Sequence, residues 1–338
     1  MRERHSSVAL AVDVGGTKLA AAIVDAGGTI LHRAQAATPS GDDPAAFAEA
    51  LEGAVHQVLD LAPPDLPDRL VGLGVGSAGP LDPVAGTVSP VNIPALRGFP
   101  ILDLLRAVLP DRPAALAGDA HCMALGEYRF GVARGSRAML GMVVSTGVGG
   151  GFVLDGQLLP GVTGNAGHVG HIVVDLAGPA CPCGSKGCVE MLASGPNLVR
   201  WAVQQGWRGS DSPALAADAR AGHPVARRAF ARGAAAVAAA IVNSTALVDL
   251  DDVVIGGGVA QAGDVLFDPL GSALAELAGL EFVRRVRVHR SGLGVAAGLL
   301  GAAALAFVVK EPPRVPQNPH EFSSGPHEPG RSHAGCRT

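Results

Sequence analysis

Cys181-Pro-Cys183-Gly-Ser-Lys-Gly-Cys188 sets three thiols within eight residues, on a stretch whose glycines let the backbone double back. A chain carrying this segment either folds so that the sulfurs converge or leaves them as three separate core thiols. Convergence calls for a fourth donor, because a structural zinc site is a closed tetrahedron of Cys and His ligands. His171, ten residues before Cys181 and at the end of Gly167-His168-Val169-Gly170-His171, is the best candidate. So tight a spacing suits a metal better than a disulfide framework, and the odd total of five cysteines agrees with a reducing compartment. A catalytic zinc keeps one position open, so a complete Cys3His set points to a structural ion.

Around this knuckle the sequence alternates short β-branched runs with longer alanine-rich stretches, the pattern of an α/β fold. Residues 8–14, 19–24 and 29–33 read as a three-stranded meander, 44–61 as a helix and 70–75 as a further strand. A fainter echo begins at Ala138, with strands over 138–145 and 150–154 and a turn at 157–160 leading into a third. Pro224 suits the first turn of a long helix reaching Leu247. Val253–Ile255 is a strand, Arg284–His289 alternates as a half-exposed strand does, and 295–309 is a closing apolar helix. Two lobes are expected, 1–118 and 119–310, followed by a polar Pro/Ser/Gly/His tail over 311–338 that reads as disordered. A net charge of −4 gives no basic face for nucleic acid or for a membrane surface. Met1–Ser7 is polar and leads into an apolar run too short for a signal sequence, so a cytoplasmic location is expected.

Glycines recur where strands end. Asp13-Val14-Gly15-Gly16-Thr17-Lys18 follows the first strand, and its backbone N–H groups, with Thr17 and Lys18, are suited to phosphate oxygens, while Asp13 is suited to magnesium. Ser145-Thr146-Gly147-Val148-Gly149-Gly150-Gly151 and Gly256-Gly257-Gly258 are similar. A tight turn explains any one of them; together they fit separate grips on one nucleotide. No G-x-x-x-x-G-K-[ST] loop and no G-x-G-x-x-G opening a helix is present near residue 15, which disfavours the two common nucleotide folds.

Residues 181–190 read C-P-C-G-S-K-G-C-V-E, which resembles the C-x-C-G-x-x-G-C-x-E signature of the ROK family of sugar kinases and repressors. The Asp13–Lys18 loop, the Ser145–Gly151 loop and Gly170-His171 fall where that family has its phosphate loops and its Gly-His pair. The resemblance spans about residues 8–309. It implies an actin-like (ribonuclease H-like) ATPase fold, α/β in class, with two lobes around a cleft, and transfer of phosphate from Mg-ATP to a hexose 6-hydroxyl. ATP contacts then fall to Asp13, Gly15, Gly16, Thr17, Lys18, Ser145, Thr146, Gly147, Gly149 and Gly256–Gly258. Asp119, in Gly118-Asp119-Ala120-His121, takes the general-base position; from the residues alone it reads as the N-cap of a helix to about Phe130. Sugar contacts are implied for Asn92, Asp119, His168, His171 and Glu190. His171 is thereby used twice, one ring nitrogen on zinc and the other toward a sugar hydroxyl.

Two departures bear on the substrate. His168 stands where glucose-specific members carry Glu and where N-acetylmannosamine-specific members carry Gly-His-x-Gly-His. Gly118 replaces an Asn that bonds the sugar, which disfavours plain glucose. The expectation is an amino hexose, N-acetylmannosamine or a 3-amino-3-deoxyglucose (kanosamine) type, with glucokinase as the alternative. The family's DNA-binding repressors carry a winged-helix segment before the first strand, whereas about seven residues precede Val8 here. A homo-oligomer, dimer or tetramer, is also implied.

Overall fold

The first strand alternates Val8-Ala9-Leu10-Ala11-Val12, so its period-2 pleat puts branched side chains on one face and alanines on the other. The architecture follows from that difference. A computed structural model describes residues 7–41, 43–90 and 93–308, so Asn92, Val309 and the 311–338 tail lie outside the described residues.

Strands β1 (Val8–Val14), β2 (Lys18–Asp25) and β3 (Ile30–Ala37) form the expected meander, and β4 (Leu70–Ser77) pairs parallel with β1. Two-residue strands β5 (Leu81–Asp82) and β6 (Thr87–Val88) make a separate hairpin. β7 (Ala114–Gly118) completes a five-stranded sheet of order β3-β2-β1-β4-β7. The second half repeats this plan. Its strands are β8 (Ala138–Val144), β9 (Val148–Leu154), β10 (Gln157–Leu158), β11 (Asp252–Gly256) and β12 (Arg287–Arg290), in the order β10-β9-β8-β11-β12. Each sheet is thus an antiparallel meander extended by parallel strands, and each first hairpin carries one of the first two glycine loops.

The branched face of β1 and β2 packs with Phe47, Leu51 and Val55 of the helix Pro44–Asp60, which Asp43 caps by accepting from the Ala45 N–H at 2.9 Å. The alanine face (Ala9, Ala11, Ala20, Ala22) lies against the closing helix Ala297–Val308 and the helix Asp119–Arg129. Small residues set how close these elements come. A Cβ on Gly74 of β4 would lie 1.8 Å from the Ala302 carbonyl oxygen, and one on Gly301 would lie 1.6 Å from that of Cys122. Neither position tolerates a side chain without the helices moving apart.

In the second half, Leu140, Met142 and Val144 of β8 pack with Phe230, Val237 and Ile241 of the helix Pro224–Val248. That helix is long and apolar enough to cross a membrane, but half of its apolar window is buried in the protein, with Phe230, Val237 and Ile241 in this core, and it packs along the helix Asp264–Leu277.

Two expected elements differ. Arg284–His289 is not one strand: Glu281–Arg284 is a helical turn, with the Arg284 N–H bonded to the Leu280 carbonyl and its Nε to the Ala278 carbonyl, and only Arg287–Arg290 pairs with β11. The alternation of Arg and Val is read correctly by the sheet only where β11 supplies a partner. Asp119 is not an N-cap either. Gly118, at φ −63° and ψ 151°, occupies the cap, and Asp119 is the first helical residue.

Candidate active site

The site gathers where β7 passes into the helix Asp119–Arg129, because this junction sits between the two sheets. Asp119 Oδ1 accepts from the Ala120 N–H at 2.7 Å, which turns the carboxylate at the helix start toward the cleft. Burial pushes its carboxyl above the ordinary carboxylate range, with the Ala120 N–H and the nearby His121 and His168 rings pulling the other way. Asp13, at the end of β1, is raised to about 6, first by burial and then by the Asp119 charge, with Lys18 and Arg33 opposing. Two carboxylates therefore face one another across the junction, and each is a stronger base than in water.

Asp119 and His168 line one pocket, together with Gly118, His121, Asn165 and the backbone of Gly149 and Gly150. The Gly-His-x-Gly-His segment is laid against β9 by its two glycines. A Cβ on Gly167 would lie 2.6 Å from the Gly150 carbonyl, and one on Gly170 would lie 1.9 Å from that of Val148. With the glycines pressed inward, the two histidines project outward, their rings stacked at 6.0 Å and 17°.

The cysteine knuckle closes beside them. Gly184 and Gly187 adopt φ +93° and +65°, a left-handed conformation that other residues resist. The Cys181 N–H bonds to the Ser185 carbonyl at 2.8 Å, which tightens the turn. His171, Cys181, Cys183 and Cys188 bring their ligand atoms within 4.8 Å of one another. Cys183 and Cys188 sulfurs are 3.8 Å apart, and Cys181 Sγ is 3.8 Å from His171 Nδ1. The edge of a tetrahedron with Zn–S bonds of ~2.3 Å is about 3.8 Å, so the donor set and its spacing both fit zinc. Nδ1 is the nitrogen on that side, which leaves Nε2 of His171 outward.

Glu190, two residues past Cys188, has Oε2 accepting from the Val148 N–H at 2.9 Å, and a Cβ on Gly147 would come within 2.7 Å of the same oxygen. Its carboxylate is thus held against the second glycine loop, outside the residues that line the Asp119 pocket. That loop is Ser145–Gly147; Gly149 belongs to β9, opposite Val143, and faces Ala120. The Ser145 carbonyl accepts from the Gly195 N–H at 2.8 Å. Gly257, at φ +92°, lies so close to Val144 that a Cβ would be 2.5 Å from its carbonyl, and Val259 N–H bonds to that same carbonyl at 3.0 Å. The second and third loops are therefore neighbours. The first turns sharply, the Gly15 N–H bonding to the Lys18 carbonyl at 3.0 Å, and leaves Gly16, Thr17 and Lys18 exposed.

Sequence reasoning singled out neither His121 nor Asn165. His121 stands two residues past Asp119, but neither it nor Asn165 carries a pattern of its own, since only the fold brings Asn165, and the Ala166 carbonyl that holds His121, to the pocket.

A sequence profile of the ROK family matches residues 9–308. The chain belongs to the ROK family. Among ROK proteins, the chain is 38% identical to the N-acetylmannosamine kinase of Citrobacter koseri over 88% of this chain and 98% of that one. It is 37% identical to the N-acetylmannosamine kinase of Yersinia pseudotuberculosis, covering 88% and 97%. A solved ROK hexokinase from Thermus thermophilus superposes with a TM-score of 0.79 at 37% identity, covering 89% of this chain and 98% of that one. A ROK glucokinase from Streptomyces griseus, solved with glucose and AMPPNP, gives 0.75 at 32%, covering 89% and 99%. The two repeated sheets are accordingly those of the actin-like ATPase fold shared by these ROK structures.

Proposed function

We propose that this ROK protein is an ATP-dependent kinase that phosphorylates the 6-hydroxyl of an amino hexose, with N-acetylmannosamine as the first candidate and a 3-amino-3-deoxyglucose type as the second. The observation that carries the reading is the pairing of Asp119, raised in basicity by burial, with His168 in one pocket at the mouth of the glycine loops. The identity to N-acetylmannosamine kinases over most of the chain supports the choice of sugar.

Asp119 accepts the proton of the attacking hydroxyl as its oxygen approaches the γ-phosphorus; a positioned base contributes on the order of 10²- to 10⁴-fold. Most of the remaining rate comes from holding the phosphates and neutralising their charge. Lys18 and the N–H groups of the three loops are suited to the phosphate oxygens, and Asp13 to magnesium, which supplies charge neutralisation when bound. Asn92, His168, His171 and Glu190 are assigned to the sugar side. Zinc on His171, Cys181, Cys183 and Cys188 is structural: it fixes the knuckle that carries Glu190. The lobes are assigned as 1–118 and 119–310, and the protein as a soluble cytoplasmic homo-oligomer acting on a small sugar, with neither nucleic acid nor membrane as partner.

An ADP-release assay over N-acetylmannosamine, N-acetylglucosamine, glucosamine, 3-amino-3-deoxyglucose and glucose tests the activity, with Asp119→Asn as control. Turnover is expected on an amino hexose and lost in the variant; no turnover on any sugar refutes the kinase reading, and glucose as the best substrate refutes the amino-sugar choice. Elemental analysis is expected to find about one zinc per chain.

A further inference from the structure

His121 is 5% exposed, one turn into the helix that Asp119 opens, and its ring is fixed on two sides. Nε2 lies 2.5 Å from the Ala166 carbonyl oxygen, and the Cδ2 edge lies where a Cβ on Gly151 would sit 2.8 Å away. A carbonyl only accepts, so Nε2 carries a proton. Burial lowers the imidazole below its ordinary value, which leaves the ring neutral, with Nδ1 a lone-pair acceptor. Nδ1 has no protein hydrogen-bond partner among the described residues, and it is not among the fully buried orphan atoms, so it stays open to the pocket its residue lines.

What Nδ1 faces is Gly118. A Cβ there would lie 3.2 Å from this nitrogen and would close it off, while the backbone at 118, at φ −63° and ψ 151°, is open to any residue. Glycine at 118 is therefore not needed for the chain to turn. Its effect is to leave Nδ1 uncovered toward the pocket that Gly118, Asp119, His121 and His168 line.

We infer that His121 and Gly118 form a specificity pair, in which the missing side chain at 118 uncovers Nδ1 of His121 as a hydrogen-bond acceptor for an O–H or N–H donor on the sugar. This rests on the kinase reading of the same pocket. The acceptor is rigid, since the Ala166 carbonyl fixes both its tautomer and its ring angle. A sugar lacking the matching donor leaves a desolvated nitrogen unpaired, which discriminates far better than an apolar wall does. Hydroxyl, amide and ammonium donors share this chemistry, and a substrate panel separates them.

The test uses the full-length chain and the variant Gly118→Ala, which covers Nδ1 without removing the ring or its bond to Ala166. Kinetics are measured on N-acetylmannosamine, glucose and 3-amino-3-deoxyglucose, and on deoxy analogues of the best of them. Gly118→Ala is expected to raise the sugar KM about tenfold and to leave the ATP KM within about twofold. One deoxy analogue is expected to cost the wild type about tenfold and to cost Gly118→Ala nothing further. Independently, ¹⁵N histidine spectra should show the Nε2–H tautomer at His121, with its Nδ1 resonance alone shifting upfield when the best sugar is added. An Nδ1 resonance that does not move, or deoxy penalties equal in both proteins, overturns the inference while the kinase reading stands. A wild type that phosphorylates none of the sugars overturns both.

Discussion

The two halves share one strand order, yet their carboxylates are treated in opposite ways. Asp13 stands at the cleft end of β1, with Asp119 facing it, and its carboxyl is raised to about 6. Asp252 stands at the far end of β11, where burial would raise it too, but two hydrogen bonds of 2.8 Å from Arg287 and one of 2.7 Å from His289 prevail and hold it at about 2. In one half burial and the Asp119 charge outweigh Lys18 and Arg33 and keep the acid raised, and in the other hydrogen-bonded pairing outweighs burial and keeps the acid ionised. The glycine loops differ in the same sense. The first carries its own Asp13 and Lys18, whereas the second is neutral and has the Glu190 carboxylate pressed onto it from the cysteine knuckle. A repeated fold thus supplies two similar hairpins, and the residues at their tips divide the work.

The contrast breaks most visibly at Asp119. Asp119→Asn should lower kcat by about 10²- to 10⁴-fold with an unfolding midpoint no lower than that of the wild type, since an amide oxygen can keep the Ala120 bond and an unfavourable buried charge is removed; equal kcat refutes its role as base. On the opposite side, Asp252→Asn should leave kcat unchanged and cost stability on the order of 2 kcal/mol, measured by urea unfolding, because Arg287 and His289 lose the carboxylate charge and one of its two acceptor oxygens. A large loss of activity with no change in stability contradicts the division. Glu190→Ala releases the Val148 N–H and should lower kcat/KM about tenfold, with the ATP KM rising alongside the sugar KM. A change confined to the sugar KM assigns Glu190 to the sugar alone.

The contrast is sharpened last by pH dependence, whose sign distinguishes the two acids. Between 3.8 and about 6, native Asp13 holds a proton that the unfolded chain has released, so stability attributable to Asp13 falls as pH rises through that window. Asp13→Asn should abolish this slope, worth on the order of 3 kcal/mol across the window. Asp252 behaves conversely: its contribution is complete above 3.8 and is lost as pH falls toward about 2. Urea midpoints measured across both windows for each variant test the pair.

Much of this was legible in the residues. The strand-loop-strand echo, the three glycine loops and the converging Cys/His donors each follow from a local pattern, because a pleat alternates faces, a glycine permits a turn, and thiols two, five and seven residues from one another on a glycine-rich turn cannot stay far apart. Three things were not. Val-Ala alternation in β1 gives two apolar faces but does not say which helix covers the alanine one; that partner, Ala297–Val308, lies at the far end of the sequence. From the residues alone Asp119 reads as a cap because Asp commonly caps, whereas β7 ends at Gly118, which takes the cap and leaves Asp119 as the first helical residue. His121 carries no signature in the sequence, since its meaning depends on a carbonyl 45 residues away that takes one nitrogen and a missing side chain that uncovers the other.

The sequence by itself determined the knuckle, the loops and the family, because each is built from residues within reach of one another along the chain. Only the tertiary structure decided what those pieces face. The knuckle that spacing marks as a staple places Glu190 on the second glycine loop, and two acids 106 residues apart in sequence come to share one cleft. Contacts of that kind are set by how closely the helices approach across alanine and glycine, and no local pattern records them.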